Sequence, residues 1–99
     1  MDNLILIGFM GAGKTTVGKL LAREKGRQFV DTDDRIVAEQ KQSIPDIFSK
    51  YGESFFRDLE TDLLRRMKED TRHSVISVGG GMPVREENRK LLRALGCVI

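Results

Sequence analysis

Residues 8–15 read GFMGAGKT and match the pattern G-x-x-x-x-G-K-[ST]. Glycines in this pattern adopt backbone angles closed to other residues, so main-chain N–H groups converge on phosphate oxygens with no Cβ in the way. Lys14 is then placed to reach the β- and γ-phosphates of a nucleoside triphosphate, and the Thr15 hydroxyl is a ligand for Mg²⁺. A chance glycine-rich turn is the alternative, and a strand before the segment and a helix after it argue against that.

Two aspartates follow the next apolar segment of the chain. Asp31 and Asp33 are two residues apart, and in an extended segment this spacing points both side chains the same way. One carboxylate is suited to hold a water of the Mg²⁺ shell, and the other to accept a hydrogen bond from a substrate hydroxyl. Ordinary helix capping by Asp33 or Asp34 is a second interpretation, which the spacing leaves open.

Arg57 and Glu60 lie three residues apart on a predicted helix. A surface ion pair of this kind contributes little to stability. Alternatively, Glu60 fixes the Arg57 guanidinium so that its planar fork grips a substrate carboxylate. Both interpretations fit the spacing.

A run of three glycines, residues 79–81, follows a predicted strand. Three consecutive glycines are entropically poor, which favours close approach of the backbone to a ligand over a plain flexible loop. The carboxyl ends of parallel strands form the binding crevice of an open sheet. The glycine run is therefore expected beside the phosphate-binding loop.

The apolar pattern predicts the elements that position these residues. A strand, a helix and a second strand within about thirty residues indicate a right-handed crossover and a parallel sheet. The predicted strands are 4–7, 28–31, 74–78 and the beginning of another at 97–99. The first predicted helix is 15–25 with Gly26 as its stop, and the second is capped by Asp33 or Asp34 and runs through Lys41. The other three are Ser43 to Tyr51, ended by Gly52, then 53–69, and 86–95, closed by Gly96.

Composition limits the class of protein. The chain has 99 residues, 39% of them apolar and 32% charged, which describes one soluble globular domain at most. The net charge of +2 arises from 17 basic and 15 acidic residues that are interleaved, a pattern that disfavours a nucleic-acid partner. The apolar run 4–7 is far too short for a membrane span. Cys97 is the single cysteine, which suits a reducing cytosol, and we expect it to be buried as an apolar filler.

Four blocks, in this order, make the chain similar to the shikimate kinase family of nucleoside-monophosphate-kinase-like P-loop proteins. They are residues 7–18, 29–33, 47–60 and 78–81. The first block is shared with many kinases, whereas D-T-D, G-E-x-x-F-R-x-x-E and G-G-G in series are specific. The resemblance implies an α/β fold of the P-loop type, with three α/β/α layers and a parallel sheet in the order 2-3-1-4-5, of which this chain lacks the last strand. It also implies transfer of the γ-phosphate of ATP to the 3-hydroxyl of shikimate, with Mg²⁺ as cofactor.

The resemblance further implies roles for individual residues. Lys14 steadies the transferred phosphoryl group, and Asp33 binds the attacking hydroxyl; these two are the expected catalytic residues. Arg57 pairs with the shikimate carboxylate, and Glu60 orients Arg57. Mg²⁺ is held by Thr15 and, through water, by Asp31. The expected ATP contacts are Gly11, Ala12, Gly13, Lys14, Thr15 and Thr16, and the expected shikimate contacts include Gly79, Gly80 and Gly81.

By the same resemblance, the chain divides into a phosphate-loop βαβ unit (1–35), a shikimate-binding helical segment (36–64) and the remaining helix and strand core (65–99). Family members continue with a mobile lid, a second carboxylate-binding arginine and a last strand. We therefore expect a fragment, or a chain completed by a partner, with weak or no activity alone. Members are usually monomeric and cytoplasmic, and no nucleic acid or membrane is expected as a partner.

Two other functions stay open at this stage. One is a related small-metabolite kinase, such as a gluconate kinase, with the same loop and another acceptor. The other is a non-catalytic nucleotide-binding chain that functions by assembling with a second chain.

Overall fold

The computed structural model describes residues 3–7, 12–79 and 81–98, with the backbone alone for 12–15. The order of elements confirms the predicted α/β class. They are β1 (Asn3–Leu6), α1 (Ala12–Lys25), β2 (Gln28–Asp31), α2 (Thr32–Gln40), α3 (Ile44–Tyr51), α4 (Glu53–Asp70), β3 (Ser74–Ser77), a short 3₁₀ helix (Met82–Val84), α5 (Glu86–Leu95) and β4 (Gly96–Val98).

The four strands form one sheet in the order β2-β3-β1-β4, and every neighbouring pair is parallel. The order expected of the first four strands is thereby confirmed. Each strand reaches its parallel neighbour through a crossover, so helices cover both faces of the sheet. No helix within the described ranges combines the length and the apolar character that crossing a bilayer requires.

Two apolar clusters lie on opposite faces of the sheet. On one face, Leu6 and Val75 pack with Ala22 of α1. The other face carries the larger cluster, which is built on the sheet residues Ile5 and Ile76. Its remaining buried members come from α2 to α5 and the segments between them: Ile36, Ile47, Phe56, Leu63, Leu64, Met67, Val78, Met82, Leu92 and Leu95.

Helix α1 contacts the sheet through its small residues. A Cβ on Gly18 would lie 3.1 Å from Cδ1 of Phe29 and would collide with that ring, so glycine is required for this close packing. Leu21 is half-buried beside it. Val17 and Leu20, which recur at helical spacing, face outward with 45% and 51% of their surface exposed.

The predicted helix stops are confirmed, and the predicted start at Ser43 is a cap. Gly26 and Gly52 follow α1 and α3 with φ of 65° and 87°, backbone angles that favour glycine. The Ser43 hydroxyl accepts a hydrogen bond from Asp46 N at 3.2 Å and so caps α3. Gly96 ends α5 and is also the first residue of β4.

Three predictions are wrong, and the first is the cap of α2, which was expected at Asp33 or Asp34. Helix α2 begins at Thr32, directly after β2, and its cap is Asp31, whose Oδ1 accepts from Asp34 N at 3.1 Å. Asp31 and Asp33 therefore do not share an extended segment, because the chain turns into a helix between them. Cys97 is exposed rather than buried, because it lies on the edge strand β4.

A buried asparagine ties the amino ends of the strands to the helices. Asn3 is 1% exposed. Its Nδ2 donates to the carbonyl oxygens of Thr71 and Leu95 at 3.0 Å each, and its Oδ1 accepts from Ser74 N at 2.9 Å. This one side chain thus joins β1 to β3 and to the ends of α4 and α5.

We predict that Asn3→Asp lowers the free energy of unfolding by about 3 kcal/mol, because a carboxylate cannot donate to two buried carbonyl oxygens. Urea unfolding of the protein expressed from its full reading frame, followed by circular dichroism at neutral pH, measures the change. A loss below about 1 kcal/mol would contradict the importance of this clamp.

Candidate active site

The candidate site lies at the carboxyl ends of β2 and β3. Asp31, the last residue of β2, is in register with Ser77, the last residue of β3. Helix α2 then carries Asp33 in its first turn, and β3 continues into Val78 and Gly79. The adjacent strand β1 and helix α1, which begins at Ala12, are the strand and the helix that were predicted on either side of the phosphate-binding loop.

Part of the predicted nucleotide site and one predicted shikimate contact lie outside the described residues. This applies to Gly11 and Gly80 entirely and to the side chains of Lys14 and Thr15. Ala12 and Gly13 form the first turn of α1, and Thr16 follows with an exposed side chain. The roles predicted for these residues stay predictions.

Helix α4 brings Arg57 and Glu60 together on one face, as residues three apart on a helix are neighbours. Arg57 Nη1 donates to Glu60 Oε1 at 2.8 Å, and Nη2 lies 3.3 Å from Glu53 Oε2. The Glu60 side chain is 0% exposed and that of Arg57 is 22% exposed. The guanidinium also lies 5.4 Å from the ring centroid of Phe56. The pair joins a fully buried carboxylate to a half-buried guanidinium, so it is not the exposed surface pair that the spacing equally allowed.

The surroundings shift the pKa values of both partners. Burial raises the pKa of Glu60, and the negative charge of Asp33 raises it further, while the hydrogen bond and charge of Arg57 lower it; the net pKa is raised. Burial lowers the pKa of Arg57, but its bonds to Glu60 and Glu53 and their charges outweigh this, and the net pKa is raised. Arg57 therefore keeps its charge, and Glu60 is the member of the pair that titrates.

Gly79 is the point where two carboxylates converge. A Cβ on this residue would lie 3.0 Å from Asp33 Oδ1 and 3.4 Å from Glu60 Oε2. Within the described part of the chain, the buried Oε2 of Glu60 has no hydrogen-bond partner. The backbone at Gly79 thus leaves space beside two acceptors, which suits a hydroxyl group that donates hydrogen bonds.

Gly81 makes room for the arginine. A Cβ there would lie 2.6 Å from Cζ and 2.7 Å from Nη1 of Arg57, so the guanidinium occupies the space that a side chain would fill. Beside it is a cavity of about 330 Å³, in the range of small-ligand pockets. Its lining consists of Glu53, Ser54, Arg57, Gly81, Val84 and Arg85. A cavity with a held guanidinium in its wall is suited to a small organic acid.

The fit to a magnesium ion rests on Asp31. Its half-buried carboxylate lies at the end of β2, and one of its oxygens caps α2. Within residues 3–7, 16–79 and 81–98, no three acidic, histidine or cysteine side chains are grouped as metal ligands. Mg²⁺ normally keeps several waters and takes one or two protein oxygens together with substrate phosphates. A single carboxylate that acts through water fits that pattern.

The sequence reasoning missed two buried polar residues next to the glycine run. Asn88 of α5 donates from Nδ2 to the Met82 carbonyl at 2.9 Å, and its Oδ1 accepts from the Thr61 hydroxyl at 2.6 Å. A signal for Asn88 was present, because this polar residue shares the inward helix face of Leu92 and Leu95.

Comparisons with known proteins agree on one family. A family model described as shikimate kinase matches residues 10–99. The shikimate kinase of Enterococcus faecalis is 46% identical over 99 residues, which are 100% of this chain and 58% of the relative. That of Geobacillus thermodenitrificans is 47% identical over 96 residues, which are 97% of this chain and 51% of the relative. The chain spans about half the length of the curated relatives it matches.

Solved structures extend the similarity to the fold. The structure of shikimate kinase from Acinetobacter baumannii in complex with shikimate superposes with a TM-score of 0.92 at 42% identity, covering 99% of this chain and 54% of that chain. Shikimate kinase from Aquifex aeolicus gives a TM-score of 0.87 at 41% identity, covering 97% and 56%.

We predict a pH-dependent stability step that Glu60→Gln removes. The pKa of Glu60 in the folded protein lies above the ordinary 4.5, so the folded state holds this proton more tightly than the unfolded chain. The stabilising contribution of the protonated form is complete below the unfolded pKa and is lost as pH rises through the folded pKa.

The free energy of unfolding of the wild type, minus that of Glu60→Gln, should therefore fall as the pH rises from the unfolded pKa through the folded one. Urea unfolding of both proteins at a series of pH values measures this difference, and groups common to both cancel. A difference that grows with pH would mean that Arg57 lowers the pKa of Glu60 overall.

Proposed function

The chain belongs to the shikimate kinase family, and on that basis we propose that it serves ATP-dependent phosphorylation of the 3-hydroxyl of shikimate, giving shikimate 3-phosphate and ADP. The observation that carries the proposal is the Arg57 guanidinium, held by the buried Glu60 against Gly81 in the wall of a cavity. The fold around it superposes on a shikimate kinase solved with shikimate. A carboxylate-bearing acceptor explains why a fixed cation is built into this wall.

Arg57 provides the carboxylate-binding element in this proposal. A guanidinium has five N–H donors in a rigid fork that matches a carboxylate in two parallel hydrogen bonds. Glu60 and Glu53 accept from the two Nη atoms, and Glu60 is fully buried, which fixes the plane of the group. The acid group of shikimate then meets a donor whose orientation is set before binding.

Asp33 serves the reacting hydroxyl. Its carboxylate lies beside Gly79, close to Glu60 Oε2, which has no hydrogen-bond partner among the residues that the structure describes. A hydroxyl placed there donates to Asp33, which takes the proton as the new oxygen–phosphorus bond forms and the bond to the departing ADP oxygen breaks. In this proposal Asp33 binds the reacting hydroxyl of shikimate, and Arg57 binds its carboxylate.

The nucleotide side of the proposal rests on the loop motif. ATP supplies the phosphoryl group, and Mg²⁺ neutralises charge on its phosphates. Lys14 would contact the transferred phosphate, and Thr15 and Asp31 would hold the metal, the latter through water. The other ATP contacts proposed are Gly11, Ala12, Gly13 and Thr16, and the other shikimate contacts are Gly79, Gly80 and Gly81.

We propose the same three functional segments of the chain that the sequence predicts. Residues 1–35 bind phosphate, 36–64 bind shikimate, and 65–99 support both. The site of action we propose is the cytoplasm, and the working form a monomer; the single cysteine and the balanced charge are in keeping with this.

The proposal predicts shikimate-dependent release of ADP by the protein expressed from its full reading frame, and an increase in the KM for shikimate of about tenfold or more for Arg57→Lys. Lysine keeps the positive charge beside Glu60 but loses the planar fork. The KM for ATP should stay within about twofold, because the change affects only acceptor binding.

Arg65→Lys is the matched control, since Arg65 lies on the same helix and pairs with Glu87 on the surface. Coupled kinetics with shikimate, and with gluconate as a competing acceptor, give both constants. Wild-type turnover with gluconate but not with shikimate would overturn the proposed acceptor.

Gly81→Ala should weaken shikimate binding at little cost in stability. The new methyl would displace the end of the Arg57 side chain, while the φ of −89° at this residue is allowed for alanine. We expect the KM for shikimate to rise about tenfold and the free energy of unfolding to change by less than about 1 kcal/mol. An unchanged KM would show that Arg57 does not need its observed position.

A further inference from the structure

Asn88 has an unusual place for a polar residue. It is 0% exposed and lies on the face of α5 that buries Leu92 and Leu95. A buried amide is tolerated when its hydrogen bonds are satisfied. The carbonyl of Met82 can only accept, so Nδ2 of Asn88 must face it, and Oδ1 then faces the hydroxyl of Thr61. The orientation of the amide is therefore determined by its partners.

Thr61 continues the connection into α4. Its hydroxyl has one proton and two acceptors within reach, Asn88 Oδ1 at 2.6 Å and the Arg57 carbonyl oxygen at 3.1 Å. The shorter contact assigns the proton to Asn88 Oδ1. The Thr61 hydroxyl oxygen accepts from Arg85 Nη1 at 3.2 Å, and Arg85 also pairs with Asp58 at 2.9 Å. Thr61 directly follows Glu60 and lies one helical turn after Arg57. The Asn88–Thr61 pair thus ends at the part of α4 that carries the ion pair.

The other end of the connection is the segment that contains Gly79, Gly81 and Met82, which we call the glycine turn. Met82 follows Gly81, whose backbone faces the Arg57 guanidinium. Local hydrogen bonds from Met82 N to Gly79 O and from Val84 N to Gly81 O shape the turn itself. The Met82 side chain is buried in the apolar cluster, but apolar packing is not directional. The bond from Asn88 is directional, and it fixes the Met82 carbonyl relative to α4.

We propose that Asn88, acting through Thr61 and the Met82 carbonyl, is a positioning residue that sets the distance between the glycine turn and Arg57. It touches no acceptor itself. The inference deepens the proposed function and rests on it, since the site that Asn88 arranges is the acceptor-carboxylate site. The glycine turn and the arginine come from elements far apart in the sequence, and this buried bridge sets their separation.

The test compares two buried asparagines with the same chemistry. Asn88→Asp puts a carboxylate against the Met82 carbonyl, and Asn3→Asp does the same to two carbonyls at the opposite end of the sheet. Both changes are expected to reduce stability. Only Asn88→Asp should raise the KM for shikimate, by about tenfold or more, with the KM for ATP within about twofold of the wild type.

A second pair of variants separates the hydroxyl from the volume of the side chain. Thr61→Val removes the donor to Asn88 and should reproduce the rise in the KM for shikimate. Thr61→Ser keeps the hydroxyl and should stay within about twofold of the wild type. Equal effects of valine and serine would overturn the proposal, as would equal effects of Asn88→Asp and Asn3→Asp.

A readout without substrate keeps this inference distinct from the proposed function. The ¹⁵N–¹H signals of the Arg57 guanidinium, assigned by their loss in Arg57→Lys, should move in Asn88→Asp and stay in place in Asn3→Asp. Wild-type protein without shikimate turnover would refute the proposed function, and the guanidinium signals would still decide whether Asn88 positions Arg57. Unmoved signals in Asn88→Asp would refute the positioning role whatever the acceptor is.

Discussion

The candidate site depends on one buried ion pair. Removing the Glu60 carboxylate from water is unfavourable, and only a close cation and well-formed hydrogen bonds offset that cost. Arg57 supplies both, at 2.8 Å and from the same helix face. Because a buried ion pair is often no more stable than apolar residues of the same volume, the arrangement is not explained by stability alone. It is explained if the fixed guanidinium binds a ligand, and the adjoining cavity has room for one.

The pair constrains the chain around it. The guanidinium fills the volume where a side chain of residue 81 would lie, and Glu60 and Asp33 crowd the corresponding position at residue 79. Glycine at both positions therefore has a steric reason. Gly79 and Gly81, two members of the glycine run that the sequence marked as unusual, leave space for three charged side chains and a ligand.

Features that depend on neighbours along the chain could be predicted from the sequence. Residues 28–31 and 86–95 were assigned to a strand and a helix with the observed bounds, and the stops at Gly26 and Gly52 follow from backbone angles that glycine favours. The spacing of Arg57 and Glu60 predicted that they pair. It left open whether the pair is buried, because burial depends on which face of α4 packs on the sheet. The exposure of Cys97 and the Asn88–Thr61 bridge likewise depend on contacts across the fold.

The amino ends of the strands (the amino edge) and their carboxyl ends (the carboxyl edge) carry different polar residues for different reasons. At the amino edge, Asn3 joins strand and helix ends, and every one of its bonds is to backbone, so its role is to hold the fold together. At the carboxyl edge, Glu60 keeps a buried oxygen without a partner in the described part of the chain, and Asp33 lies beside the same gap. A fold selected for stability alone would satisfy or remove such an acceptor. Within the described part of the chain, the unpartnered oxygen of Glu60 therefore lies where an incoming hydroxyl can use it.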